Sequence, residues 1–228
     1  MWKRSVLSEP EESNHGDLMR AASDRRLLRI RYAILAICCL LLSACQSALP
    51  SLPRFGTGGR YLEGKEQFLR GRGGDMDKAI VALESVVRED PTYRDSLTLL
   101  GRAYYSKGRY EDASLVLQRA LAVNKDDEIA WLVLGLTQLR LGQGQKAVET
   151  VKGAITLVSK VSKSGYRDYP YWDRNALVRS SIQRTAFLAV KGVDEKDNLI
   201  QAGETLLFRM DDEENSQRNE ERKRWDEY

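Results

Sequence analysis

The side chains that most often carry out covalent or metal chemistry are confined to the N-terminus of this sequence. The three cysteines, Cys38, Cys39 and Cys45, fall close together, and the single histidine, His15, precedes them. Every residue after Cys45 is neither Cys nor His, which excludes a cysteine nucleophile, a Ser-His-Asp triad and a Cys/His zinc site from that region. The sequence therefore predicts no catalytic residue, no metal site and no cofactor.

Two weaker patterns leave other chemistry open. Residues 59–65, GRYLEGK, match the start of a phosphate-binding loop, but a segment rich in Pro and Gly precedes them where such a loop needs a strand, and Glu66 stands where it needs Ser or Thr for Mg²⁺. We therefore expect no nucleotide binding. Carboxylates such as Glu63 and Asp77 keep a carboxylate-based enzyme or a small-ligand binder as an alternative. Residues 45–228 hold 29 basic and 28 acidic side chains, so we expect no nucleic-acid partner.

A basic cluster followed by an apolar run indicates an export signal at residues 1–44. Four arginines between Arg25 and Arg31 precede an apolar run from Ala33 to Ala44. This run is shorter than the roughly 20 apolar residues that a membrane-spanning helix needs. The first eighteen residues contain four acidic side chains, whereas the start of an export signal is typically short and basic. Translation from Met19 is therefore an alternative start.

The apolar run ends at Leu42-Ser43-Ala44-Cys45, which resembles the bacterial lipobox. The resemblance implies cleavage before Cys45, lipidation of its side chain and anchoring of the chain to a membrane. Because Gln46 rather than Asp follows the cysteine, it also implies an outer-membrane lipoprotein facing the periplasm rather than one retained at the inner membrane. After Cys45, residues up to 59 contain two prolines and three glycines, which predicts a flexible tether over 45–59.

Internal repetition organises the rest of the chain. Three segments that begin at Gly73, Lys107 and Leu141 are spaced by 34 residues. Each has a glycine turn, an alanine five residues after it and an aliphatic residue four further on, which puts small and apolar side chains on one helical face. The recurring residues are Gly74, Gly108 and Gly142, then Ala79, Ala113 and Ala147, then Leu83, Leu117 and Val151.

Ahead of the third turn stand Trp131, Leu134 and Gly135, and the second copy has Leu100, Gly101 and Tyr104. With the alanines above, these residues resemble the tetratricopeptide pattern W-x2-L-G-x2-Y…A-x3-F. The resemblance implies an all-α fold, an α-solenoid of three tetratricopeptide helical hairpins. Their predicted bounds are 60–93, 94–127 and 128–161.

The region after the repeats is predicted to close the solenoid. Apolar residues over 172–192 and again after Asp194 have near-helical spacing, and an open solenoid end needs a hairpin with a polar outer face. We assign 162–212 to a linker and this C-terminal capping hairpin. Residues 213–228 are predicted to be a charged extension, either helical or disordered.

Tetratricopeptide proteins expose the first helix of each repeat on a concave face, so the resemblance also implies a partner-binding groove. We count the first repeat from Arg60, the second from Arg94 and the third from Glu128. The implied groove residues are Phe68, Arg72, Thr98, Arg102, Tyr105, Ser106, Ile129, Leu132, Leu136, Leu139 and Arg140. The leucines also fit an apolar stripe, so an inter-repeat core remains an alternative role for them.

These features together predict a membrane-anchored, non-catalytic scaffold that gathers envelope proteins or peptides in envelope assembly. The alternative is a structural homo-oligomer built through the charged C-terminus. Carboxylate-clamp members of the family carry Lys and Asn at the fifth and ninth positions of the first repeat, where this count gives Gly64 and Phe68. Recognition of chaperone-type C-terminal tails is therefore not expected.

Overall fold

The structure is a computed structural model that describes residues 56–163, 166, 169 and 171–226. The side chains of Arg72 and Asp226 are excepted. The predicted signal peptide and Cys45 lie outside the described residues, and the lipobox interpretation stays a prediction. Among the described helices, none is long and apolar enough to cross a bilayer.

The described chain is built of antiparallel helix pairs and contains no β-strand within these bounds. The helices are α1 Thr57–Leu69, α2 Met76–Glu89, α3 Ser96–Ser106, α4 Tyr110–Val123, α5 Glu128–Arg140, α6 Gly144–Lys163, α7 Leu177–Lys191 and α8 Lys196–Asp226. Consecutive helices pack on one another, and α1, α3 and α5 also contact in that order. The predicted α-solenoid of helical hairpins is confirmed.

Short polar residues and glycines set the helix ends. The side chains of Asp75 and Asp127 accept hydrogen bonds from the backbone N–H groups of Lys78 and Ala130, which caps α2 and α5. Gly108 and Gly142 adopt φ +74° in the turns that join α3 to α4 and α5 to α6. Side chains are disfavoured in this left-handed region, so glycine at these two places is a backbone requirement.

Each of the three repeat hairpins closes where a glycine of its first helix meets an aliphatic residue of its second. A Cβ on Gly101 would lie 2.5 Å from Leu117 Cγ, and one on Gly135 would lie 2.6 Å from Val151 Cγ2. Ala113 and Ala147 are fully buried in the same hairpins. Larger side chains at these positions would force the helices apart.

The first hairpin differs from the count made on the sequence. Gly64 approaches Leu83 as Gly101 approaches Leu117, although Gly64 and Gly101 are 37 rather than 34 residues apart. The extra three residues lie in the connection between α1 and α2, which holds a 3-10 turn at Gly71–Gly73. The first repeat therefore begins near Thr57, inside the predicted tether, and counting from Arg60 was wrong by three positions.

The C-terminal hairpin pairs a short helix with a long one. Asp173 caps α7 by accepting hydrogen bonds from the N–H groups of Val178 and Arg179 through both carboxylate oxygens. Gly192, at φ +82°, ends α7 and leads through a 3-10 turn into α8. The 31 residues of α8 run on through the predicted charged extension to Asp226, so this extension is helical as far as it is described.

Candidate partner-binding groove

Helix α8 lies across the concave face of the third repeat. Leu132, Leu136 and Leu139 are fully buried, and Ile129 is nearly so. A Cβ on Gly203 of α8 would lie 2.6 Å from Leu136 Cδ2, so the backbone of α8 approaches this leucine closely. The four apolar residues among the predicted groove residues of α5 are therefore core, because their side chains bury against a helix of the same chain.

Other predicted groove residues hold α8 through polar contacts. The hydroxyl of Tyr105 donates to Glu204 Oε1 at 2.5 Å, and Arg140 Nη2 donates to the same oxygen at 2.9 Å. Arg102 pairs with Asp211, seven residues further along α8. These residues were predicted to contact a partner, and the structure gives each of them an intramolecular one.

These contacts raise the pKa values of two groups. Burial raises the pKa of the Tyr105 hydroxyl above its usual range, and the hydrogen bond to Glu204 raises it further. The bonds to Tyr105 and Glu204 raise the pKa of Arg140. The neutral phenol of Tyr105 on α3 and the guanidinium cation of Arg140 on α5 thus share the carboxylate of Glu204 on α8, and this shared contact links the three helices.

The remaining predicted residues fall in three different places. Thr98 is buried and its hydroxyl donates to Asp127 at 2.6 Å, so it serves the contact between α3 and α5. Ser106 is exposed at the end of α3. Arg72 lies in the 3-10 turn after α1 rather than on the groove helix, and its side chain is not described.

A concavity stays open beside α8, between the first two repeats and the middle of that helix. Its volume is about 660 Å³. We call it the open groove and define it by the residues of its apolar wall, Phe68, Leu69, Met76, Tyr105, Tyr110 and Phe208. Polar atoms enter it from Arg102, Arg140, Glu204, Asp211 and Asp212.

Aromatic side chains dominate the wall of the open groove. The rings of Tyr105 and Tyr110 are 5.5 Å apart between centroids. The Arg102 guanidinium lies over the Phe68 ring at 4.9 Å. Phe208, on the opposite wall, is 60% exposed although it is a large apolar side chain.

Part of the chain matches a known family. The sequence profile of the tetratricopeptide repeat family matches residues 72–135, which run from the end of the first connection into α5. These residues are tetratricopeptide repeats. The match confirms the resemblance proposed from the sequence, and tetratricopeptide domains are scaffolds for protein–protein interaction that are generally non-catalytic.

Two of the solved structures that match the chain differ in the extent of the match. One is the TPR2B domain of yeast Sti1 in its pHsp70 complex, at 18% identity, a TM-score of 0.46, and coverage of 59% of this chain and 96% of that one. The other is MamA, at 21% identity, a TM-score of 0.46, and coverage of 75% and 86%. Among curated proteins, none matches the chain significantly in sequence.

In the corrected register of the tetratricopeptide repeats, Phe68 aligns with Tyr105, and Lys65 aligns with Arg102. The fifth and ninth positions of the first repeat then hold Tyr61 and Lys65, so the Lys and Asn of a carboxylate clamp are still not at their positions. Lys65 Nζ instead lies 3.4 Å from the Tyr61 hydroxyl.

The sequence predicted a helix after Asp194 but not that this helix covers the concave face, and it did not identify Phe208. A signal for the covering role was present, because Glu204 and Asp211 are seven residues apart and share a helix face with apolar residues around them. Those residues, Leu199, Leu206 and Met210, are almost fully buried. A helix with such a face needs an apolar surface to cover, and the leucine stripe of α5 supplies it.

Proposed function

We propose that the chain is a membrane-tethered tetratricopeptide adaptor that holds a segment of an envelope protein in the open groove. The observation that carries this proposal is the open groove itself, a concavity with an aromatic wall and a large exposed phenylalanine. Exposed apolar surface of this kind marks interaction sites on soluble domains. Tyrosine and arginine are among the residue types that contribute most binding energy at protein interfaces, and phenylalanine is enriched there.

The groove can receive an apolar segment without rearrangement of the repeats. Its wall already packs against the core, since the Phe68 side chain is only 9% exposed and a hydrogen bond to Glu204 holds the Tyr105 ring in place. A pre-ordered wall lowers the entropic cost of binding. Phe208 then adds apolar surface that a partner would cover.

To test the groove, Phe208 and Phe187 are replaced separately by alanine. The two rings are matched, at 60% and 61% exposure, but Phe187 lies on α7 and does not line the groove. After crosslinking in intact cells, Phe208→Ala should lose most of the recovered partner and Phe187→Ala should keep it. Equal recovery by both variants would place binding elsewhere. Recovery of the chain itself as the partner would instead support a homo-oligomer.

The proposed location rests on the lipobox residues alone. If Cys45 is lipidated, the intact mass of the purified protein should correspond to a chain that begins at Cys45 and carries acyl groups. Cys45→Ser should then release the chain from sedimented membranes. A chain that begins elsewhere, or Cys45→Ser protein that stays with the outer membrane, would contradict this part of the proposal.

A further inference from the structure

The charges of the open groove are unequally satisfied. Its two lining cations both have carboxylate partners, Arg102 with Asp211 and Arg140 with Glu204. The third carboxylate, Asp212, is exposed, and no ion pair or hydrogen bond to it is formed within the described part of the chain. The lining therefore carries two positive and three negative charges, and the one charge without an intramolecular partner is the negative charge of Asp212.

A third cation, Arg209, is not part of the lining and stands three residues before Asp212 on α8. The Arg209 guanidinium is 5.6 Å from the centroid of the Phe208 ring. Its position shows that this ring can face a cation, which is the geometry that aromatic quadrupoles favour. Arg209 would favour an acidic partner. The test must therefore distinguish a basic partner that pairs with Asp212 from an acidic partner that pairs with Arg209.

Resting on the proposed function, we infer that the partner segment is apolar and carries a lysine or arginine, which pairs with Asp212 beside the aromatic wall. A basic side chain suits this place because its aliphatic stem packs on rings while its charged end reaches a carboxylate. An acidic segment would meet Asp212 unpaired and would have to break an existing pair to reach Arg102 or Arg140.

The test uses the full chain in detergent and a random library of displayed twelve-residue peptides. Enriched peptides are then labelled with fluorescein, and their dissociation constants are measured by anisotropy. We expect enrichment of Lys or Arg next to aromatic or aliphatic residues. Phe208→Ala should abolish binding, while Phe187→Ala should not.

Three single substitutions identify the charge that matters. Asp212→Asn should weaken binding of a basic peptide about fivefold at low salt, since an exposed ion pair contributes on the order of 1 kcal/mol. The effect should shrink as salt is added. Arg209→Gln should leave binding unchanged or strengthen it. Asp197→Asn, the same change on the same helix but away from the groove, should have no effect.

The outcomes separate this inference from the proposed function. The selected peptides could instead be enriched in Asp or Glu, and their binding could be weakened by Arg209→Gln but unchanged by Asp212→Asn. That result would overturn the inference of a basic partner while keeping the groove as the binding site. Absence of enrichment, or peptides that bind Phe208→Ala as well as the unchanged protein, would overturn the groove itself. Thermal unfolding of each variant checks that a lost signal is not a lost fold.

Discussion

The concave side of this solenoid is used in two ways along its length. In the third repeat, α5 presents Leu132, Leu136 and Leu139, and α8 covers them completely. In the second repeat, α3 presents Arg102 and Tyr105 at the aligned positions, and these contact the edge of α8 through an ion pair and a hydrogen bond. The repeat backbone is the same in both, so the side chains decide which stretch becomes core and which stays open.

The difference has an energetic reason. Burial of a leucine side chain contributes roughly 1.5–3 kcal/mol, so covering a stripe of three with α8 is strongly favourable. Arginine and tyrosine keep a polar end that water or a ligand satisfies, so their stretch tolerates an open concavity. A helix that covers one stretch and borders the other then forms both a cap and a groove wall.

The largest expected effect distinguishes the covered stretch from the open one. Leu136→Ala should lower the free energy of unfolding by about 2–5 kcal/mol, because it removes a fully buried side chain. Phe208→Ala should change it by about 0.5 kcal/mol or less, since that ring is mostly exposed. Urea unfolding followed by circular dichroism measures both. Similar losses of unfolding free energy for the two variants would contradict the distinction between a covered and an open stretch.

A second substitution tests what the two stretches share, the close packing within each hairpin. Ala113→Leu should cost about 1–3 kcal/mol, because Ala113 is fully buried between α3 and α4. Ala122→Leu makes the same change at an exposed position of α4 and should be nearly neutral. A lower thermal midpoint for the first variant only is the expected result; a neutral Ala113→Leu would mean that these helices are further apart than described.

The contact between α8 and the third repeat has a test at a single glycine. Gly203→Ala should destabilise by about 1–2 kcal/mol, since the new Cβ would lie 2.6 Å from Leu136 Cδ2. Gly153→Ala, in α6, meets nothing within 4 Å and should stabilise by up to about 1 kcal/mol through helix propensity. If both variants gain stability, α8 does not lie close to α5.

The smallest expected effect concerns the polar edge of α8. Glu204→Gln should cost about 0.5–1 kcal/mol, because the ion pair with Arg140 is more than one third exposed and water screens it. Glu220→Gln, at an exposed position of the same helix, serves as the control. Chemical denaturation at low and high salt measures the difference, which should decrease with salt. A loss above about 3 kcal/mol would show that this edge is part of the core.

Local signals predicted the repeats well. The turn glycines Gly108 and Gly142 are required by the backbone conformation of their turns. The alanines that follow them, Ala113 and Ala147, are required by close packing within a single hairpin. The first repeat was misregistered because three extra residues lie in a connection, where sequence periodicity gives no constraint. Its own glycine, Gly64, would have corrected the count.

The open groove was only partly predictable, because its walls come from distant parts of the chain. Tyr105 and Arg102 were identified through the position they occupy in their repeat. Phe208 and the covering role of α8 were missed. Helix α8 begins 56 residues after the end of α5, and the sequence shows that α8 has an apolar face but not where this face docks.

The central claim is that α8 covers the third repeat and leaves the groove of the first two open, and cysteine labelling tests it most directly. In a chain whose three native cysteines are serine, Leu136→Cys and Ser106→Cys are introduced separately and reacted with a maleimide under native conditions. We expect rapid labelling at position 106 and labelling at position 136 slower by about 100-fold or more, since the buried site reacts only after local opening. Comparable rates at the two positions, in folded protein, would contradict the central claim.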